Sequence, residues 1–299
     1  MKKRILVVAA LCWGQLSFAQ KTSTLDVSKK GKEIAPTMWG VFFEDINLGA
    51  DGGIYAELVK NRSFEFSKPW MGWERKHKTF VEGQLQIKNQ PQRPSNPRYL
   101  SVELHKEQKG ELGLINEGFR GMGLKKGLAY DFSVLYRVKK GNVQFHVELL
   151  NDKKEVVGSV SSKAITQVGT EWQKLELSLT SAETVLKGKM ALWFSGEGEV
   201  DIDMISLFPT DTWKGRKGGM RADMIQMLAD MKPGFIRFPG GCIVEGFDLN
   251  NRYQWKKTIG AVEDRQLIMN RWNIEFPHRS TPDYFQTFGL GFFEYFQLA

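Results

Sequence analysis

Between Tyr99 and Phe208, apolar side chains recur at every second position, and this period limits the fold more than any other feature of the chain. Leu100, Val102 and Leu104 alternate with polar neighbours, as do Leu128, Tyr130, Phe132, Val134, Tyr136 and Val138. The same holds for Val143, Phe145, Val147 and Leu149, and for Leu175, Leu177 and Leu179. Met190, Leu192 and Phe194 follow, then Val200, Ile202 and Met204. Successive side chains of a strand point to opposite faces, so each run buries one face and wets the other; a helix would need a spacing of about 3.6. Lys140-Gly141-Asn142 and Gly196-Glu197-Gly198 separate the runs and are predicted to be turns. At least six short strands with no helix between them predict a β-sandwich, placed at residues 67–212.

The flanks have a different period. Ile34 to Glu44 is mostly apolar and ends in the acids Glu44 and Asp45; Asn47 to Gly53 is a Gly/Asp-rich loop. Ile54 to Lys60 is predicted helical, with Asp51 as its N-cap and apolar pairs at i,i+4. After a basic, glycine-rich linker at Lys214 to Gly219, helical period returns. Met220, Met224, Met227, Leu228 and Met231 share one face, predicted to lie in the core, and Pro233-Gly234 stops the helix. Phe235-Ile236-Arg237-Phe238 then runs into Pro239-Gly240-Gly241-Cys242, as a strand does when it ends in a tight loop. Asn250 to Pro282 is irregular, and Gly291 to Ala299 begins another helix. Helix, strand and loop in that order place polar groups at the carboxyl end of a strand, where sites lie in parallel α/β folds. The fold class is α/β plus β, with α/β units at 20–66 and 213–299 around the sandwich.

Charge and cysteine content narrow the function. The net charge of +8 owes three positive charges to Lys2, Lys3 and Arg4, which open a secretory signal over residues 1–19, with an apolar stretch and Ser17-Phe18-Ala19 as cleavage site. That stretch is too short to span a bilayer, and Leu11 before Cys12 does not suit a lipid anchor. The remainder has 39 basic and 34 acidic residues, a weak +5, with no basic track interleaved with aromatics, which excludes nucleic acid as a partner. Maturation leaves Cys242 as the lone cysteine, so an exported chain has no internal disulfide and relies on packing. No cysteine/histidine cluster or calcium loop suggests a metal, and no cofactor is expected.

Three segments together resemble glycoside hydrolase family 51, the α-L-arabinofuranosidases. The first is Trp39-Gly40-Val41-Phe42-Phe43-Glu44-Asp45-Ile46-Asn47, continuing through Asp51-Gly52-Gly53-Ile54-Tyr55-Ala56-Glu57-Leu58 to Asn61-Arg62-Ser63-Phe64-Glu65. The second is Phe235 to Gly246 with Asn251-Arg252-Tyr253-Gln254-Trp255, and the third is Gly289-Leu290-Gly291-Phe292-Phe293-Glu294-Tyr295. The sandwich, closing at Val200 to Pro209, resembles a jelly-roll, galactose-binding-like carbohydrate-binding module. The resemblance implies a (β/α)8 barrel and removal of terminal α-L-arabinofuranosyl units from arabinan or arabinoxylan. It implies a retaining mechanism with one glutamate as nucleophile and another as acid/base. The family's acid/base glutamate follows an asparagine on a barrel strand; Asn116-Glu117 lies in the sandwich instead, so the catalytic pair is expected beyond the covered chain, which alone would be inactive.

The resemblance carries three residues over to the sugar pocket. Glu44 matches a glutamate that binds sugar hydroxyls, which a carboxylate does by accepting from two at once; read without it, Glu44 is a surface or N-cap acid. Arg237 matches an arginine that keeps a catalytic carboxylate ionised and oriented; its other reading is a core arginine paired with a buried carboxylate. Cys242 matches a loop position that reaches the sugar, although lone cysteines are usually inert core residues. Glu245 and Asp248 are read as solvated or structural, and Trp172 and Trp193 as core rather than sugar platforms. The alternative function is a non-catalytic secreted carbohydrate-binding protein. Either way the partner is a plant cell-wall polysaccharide or oligosaccharide with α-L-arabinofuranosyl side groups, with no membrane and the oligomeric state open.

Overall fold

In a computed structural model, which describes residues 22–77, 83–276, 278 and 284–299, the alternating stretch forms long strands rather than many short ones. The export signal expected at 1–19 lies outside the described residues. The strands are β1 (Val41–Phe42), β2 (Trp73–His77), β3 (Leu85–Asn89), β4 (Arg98–Asn116), β5 (Met122–Leu124) and β6 (Ala129–Leu150). After them come β7 (Val156–Ser161), β8 (Gln173–Thr180), β9 (Val185–Pro209), β10 (Ile236–Arg237), β11 (Ile268–Met269) and β12 (Phe285–Gln286). Strands β4, β6 and β9 run for 19, 22 and 25 residues. They pair in the order β2-β4-β9-β6-β7, with β3 on β4, β5 on β9 and β8 on β6, in one eight-stranded sheet; the ladders are antiparallel.

Both predicted turns prove to be bends inside continuous strands. Gly141 (φ 75°) lies opposite Gly198 (φ 153°) in the β6–β9 ladder, and Gly196 (φ 116°) lies opposite Val143. A Cβ on Gly141 would come within 2.7 Å of the Gly198 Cα, so only glycine admits this approach. The ladder slips between Val138 and Lys140, and β4 slips between His105 and Glu107, as bulged strands do where they bend. A glycine with positive φ serves a chain reversal or a bulge equally well; here the pairing continues through it.

Inward residues from both sides of the bends join one apolar core. Leu100, Val102, Leu112, Leu114, Val134, Phe145, Leu192 and Phe194 are all 0% exposed, each stabilising the fold by ~1.5–3 kcal/mol. The Tyr136 and Phe145 rings, from opposite sides of the β6 bend, lie 6.0 Å apart, and Phe145 meets Phe194 at 5.7 Å. The sheet therefore closes over its own interior. Trp193, between inward-facing Leu192 and Phe194, lies on the outer face, half-buried, and donates from Nε1 to Glu148 at 2.8 Å. Trp172 is also half-buried, edge-on to Tyr99 and 4.5 Å under the Arg137 guanidinium, its Nε1 donating to Gln90 at 3.3 Å. Trp193 packs on a small buried cluster of Ile115, Leu150 and Ala191, outside the main core, whereas Trp172 is not core as expected; each indole N–H finds a polar partner.

Outside the sheet, β1 and β10 form a parallel pair, and β11 and β12 an antiparallel one. Four helices are described: α1 (Ala222–Met231), α2 (Cys242–Glu245), α3 (Arg271–Glu275) and α4 (Phe292–Leu298). Helix α1 ends where predicted, with Lys232 left-handed at its C-cap. Its methionine face is only partly core. Ile225 is buried and Met224 and Leu228 pack beside it, while Met227 and Met231 are 62% and 52% exposed because they point away from that contact.

The helix predicted at Ile54 to Lys60 is absent. Tyr55 bridges to Met220, the Ala56 amide donates to Gly219 and the Leu58 amide to Leu207, so the segment runs extended beside the end of β9. Glu57 holds it there, accepting from the amides of Val59 and Leu207 at 2.9 Å and from the Ser206 hydroxyl. Asp51 is no N-cap; it is buried and accepts from the amide and hydroxyl of Thr287. Residues 39–299 form one compact unit, and residues 22–38 belong to another, with an Asp26–Ser28 turn and one 3-10 turn at Pro36–Met38.

Candidate functional site

The parallel pair β1–β10 builds the site. Val41↔Ile236 and Phe42↔Arg237 are in register, and the amides of Val41, Phe43 and Asp45 donate to the carbonyls of Phe235, Arg237 and Pro239 at 2.8–3.0 Å. This ladder continues past both strands into their loops, and it dictates which side chains share a face. Phe43 and Phe238 face α4, meeting Tyr295 at 5.6 Å and 4.3 Å. Phe42, Glu44 and Arg237 fall on the opposite face, which is open to solvent: Phe42 is 50% exposed.

Glu44 and Arg237 converge on Gly240-Gly241. The Gly241 amide donates to Glu44 Oε1 at 3.2 Å. Gly240 has φ 147°, and a Cβ there would sit 2.6 Å from Glu44 Cγ, so the loop requires glycine to lie over the carboxylate. A Cβ on Gly241 would lie 3.9 Å from Arg237 Nη2. The Arg237 guanidinium stacks on Phe42 at 4.4 Å from its ring centre, and among the described residues it is paired with no carboxylate. The buried ion-pair reading of Arg237 therefore fails, because its strand face is open. A carboxylate held by one amide and an unpaired guanidinium stacked on an aromatic ring leave free acceptors and free donors side by side, the combination vicinal hydroxyls require.

Cys242 is in the same loop, exposed, next to the glycine that binds Glu44. It opens α2, and its carbonyl accepts from Arg271 at 3.3 Å. Arg271 also binds Glu245 at 2.7 Å and Glu275 at 2.5 Å, which gives Glu245 a structural role. Asp248 accepts from the amides of Asn250 and Asn251 and shapes a turn. Asn116 is fully buried, exchanging bonds with the Lys60 backbone, and Glu117 pairs with Lys60 Nζ at 3.0 Å, so that Asn-Glu pair is structural.

Sequence reasoning missed the layer behind Glu44. Asp45 is buried, with Oδ1 accepting from the Ala50 amide at 3.1 Å and from the Tyr284 hydroxyl, and Oδ2 from Gln286 at 3.1 Å. Asn270 donates to the Asp45 carbonyl at 2.9 Å. Burial, and then the neighbouring Asp51 charge, push the Asp45 carboxyl up to about 7. The available signal was an acid following Glu44 at the end of an apolar run, a place where burial is costly unless donors surround it.

An extracellular exo-α-L-arabinofuranosidase of Streptomyces chartreusis is 34% identical over 297 residues, covering 92% of this chain and 32% of that protein. A solved arabinose-bound family 51 α-L-arabinofuranosidase superposes with a TM-score of 0.76 at 29% identity, covering 88% of this chain and 42% of that one. This chain is similar to the family 51 α-L-arabinofuranosidases. α-L-Arabinofuranosidase 1 of Arabidopsis thaliana is similarly related, 33% identical over 90% of this chain and 39% of its own length. The α-L-arabinofuranosidase 1 domain family matches residues 227–299, which contain Arg237, Cys242 and the Tyr284–Gln286 segment of this arabinofuranosidase-like chain. The chain spans about a third to two-fifths of the length of these relatives. Among the described residues, no group of three or more His, Cys, Asp or Glu could hold a metal, and no helix is long and apolar enough to cross a membrane.

Proposed function

We propose that the chain is the sugar-facing front of an exported, retaining α-L-arabinofuranosidase acting on terminal arabinofuranosyl units of arabinan or arabinoxylan. In this reading residues 20–66 and 213–299 are barrel units around a jelly-roll insertion at 67–212. Parallel strands covered by a helix on one side suit a (β/α)8 wall, whose other side faces the barrel interior. Glu44 accepts from two adjacent ring hydroxyls, Arg237 donates to the sugar and to a reacting carboxylate, and Cys242 lines the rim. The nucleophile and the acid/base are glutamates that we do not assign to any residue of this chain. The signal-like sequence at residues 1–19 and the extracellular Streptomyces relative support export.

The observation that carries the proposal is the convergence of Glu44 and Arg237 on the Gly240-Gly241 loop, on the open face of a helix-backed parallel pair. Hydrolysis of an aryl α-L-arabinofuranoside by the full-length gene product tests it. Glu44→Gln keeps the shape but removes a charged acceptor worth ~1.5–3 kcal/mol, so kcat/KM should fall about 10- to 100-fold. Good turnover of a different glycoside with none of this one would remove the substrate; unchanged kcat/KM in Glu44→Gln would remove Glu44.

A further inference from the structure

Glu44 has a flexible side chain two residues past the two-residue strand β1, so something must hold that segment still if it is to meet a sugar in one geometry. Two contacts are already described: the Asp45 amide on Pro239 and the Gly241 amide on Glu44. Both come from the same Pro-Gly-Gly loop. The contact from a different part of the fold is made by the next residue. Asp45 reaches β12 and its approach through Tyr284 and Gln286, and its carbonyl takes Asn270, the residue that caps α3. Its second face is closed by the Ala50 amide, which folds the 46–50 loop back on the carboxylate.

We propose that Asp45 is a positioning residue: clamped by Tyr284, Gln286 and the Ala50 amide, it fixes the segment that presents Glu44 to the sugar. This rests on the reading of Glu44 as a sugar-binding group. The chemistry of the clamp decides which form of Asp45 does the work. The three groups that reach its oxygens are donors: one hydroxyl, one amide side chain and one backbone N–H. They match an ionised carboxylate, which accepts at every lone pair, and leave a protonated one with a hydrogen that must displace a donor. The titratable groups around it are Asp51 on the adjoining loop, Tyr284 beside β12, Tyr253 and Tyr295 of α4, with Arg62 beyond Asp51 and Glu44 on its own segment. Burial opposes ionisation of Asp45 most, and the Asp51 charge opposes it next. Protonation near neutral pH therefore loosens the clamp.

Titration calorimetry with L-arabinose from pH 5 to 9 tests this on the wild type and two variants. Wild-type affinity should fall by about tenfold as pH drops below about 7. Asp45→Asn, neutral throughout and with one acceptor turned to a donor, should bind about tenfold more weakly at pH 8 and show no midpoint near 7. Tyr284→Phe removes one donor without touching β1, so its falling limb should move to higher pH, a shift that a merely structural residue would not produce. Asp45→Asn with wild-type affinity and profile, or Tyr284→Phe with an unmoved midpoint, overturns the role of Asp45 alone. Absence of L-arabinose binding by the wild type at every pH overturns the sugar-site reading and this proposal with it.

Discussion

Replacing Arg62 with methionine is expected to destabilise the protein by about 3–5 kcal/mol, the cost of leaving a buried charge without its partner. Arg62 is 5% exposed, with Nη1 3.5 Å from Glu57 Oε2 and 3.3 Å from the Tyr55 hydroxyl, and its backbone carbonyl accepts from Ile205 in β9. Glu57 is 2% exposed and Asp51 is 3% exposed, so neither carboxylate gains water when the guanidinium goes. Burial already holds both carboxyls above the ordinary range, and Arg62 pulls both back down. Without it they rise further. A carboxyl whose pKa is raised on folding binds protons that the unfolded chain has released, so its contribution is present below about pH 4 and is lost as pH rises through the folded value. Urea unfolding of Arg62→Met should therefore show a larger loss at pH 8 than at pH 5. Adding Glu57→Gln, which removes the stranded charge, should recover more than about 1 kcal/mol at pH 8. A loss under about 1 kcal/mol at both pH values would show that Arg62 is not the counter-charge of this cluster.

How far the sequence could be read depended on whether a residue's partners lie near it in the chain. The inward set Leu100, Phe145 and Phe194 was legible because strand period alone assigns a face. The stop of α1 was legible because Pro233-Gly234 acts locally. Ile54 to Lys60 was misread because Ile54/Leu58 and Tyr55/Val59 have helical spacing, whereas Glu57 is held by Ser206 and Leu207, which no local rule reveals. Met227 and Met231 were misplaced for a related reason: a methionine stripe marks a face, and only the packing of Ile225 decides how much of it is covered. At the candidate site, Glu44 and Arg237 were picked out by family resemblance. Their convergence depends on the Val41↔Ile236 register, and the Asp45 clamp on residues from Asn270 to Gln286. Both are long-range facts that composition and periodicity do not contain.

Gly141→Ala should be a damaging methyl addition in the sheet, costing about 2–5 kcal/mol. Two costs add. A left-handed backbone costs an L-residue ~1–2 kcal/mol, and Gly141 has φ 75°. The new methyl would also meet the Glu197 carbonyl and lie 2.7 Å from the Gly198 Cα, and neither is the movable end of a side chain. Forcing the β6 and β9 backbones apart at their bend costs ~1–3 kcal/mol more, as overpacking does in a filled core. Gly215→Ala supplies the control, since Gly215 has a similar φ of 65° but nothing within 4 Å of its added Cβ. Thermal or urea unfolding of the two variants should differ by the clash alone, about 1–3 kcal/mol. Equal losses would mean that the bend tolerates a side chain and that only the dihedral angle demands glycine there. A larger loss for Gly141→Ala would establish that β6 and β9 pass through the bend as paired strands, which is the condition for both halves of the sheet to share the core around Phe145 and Phe194.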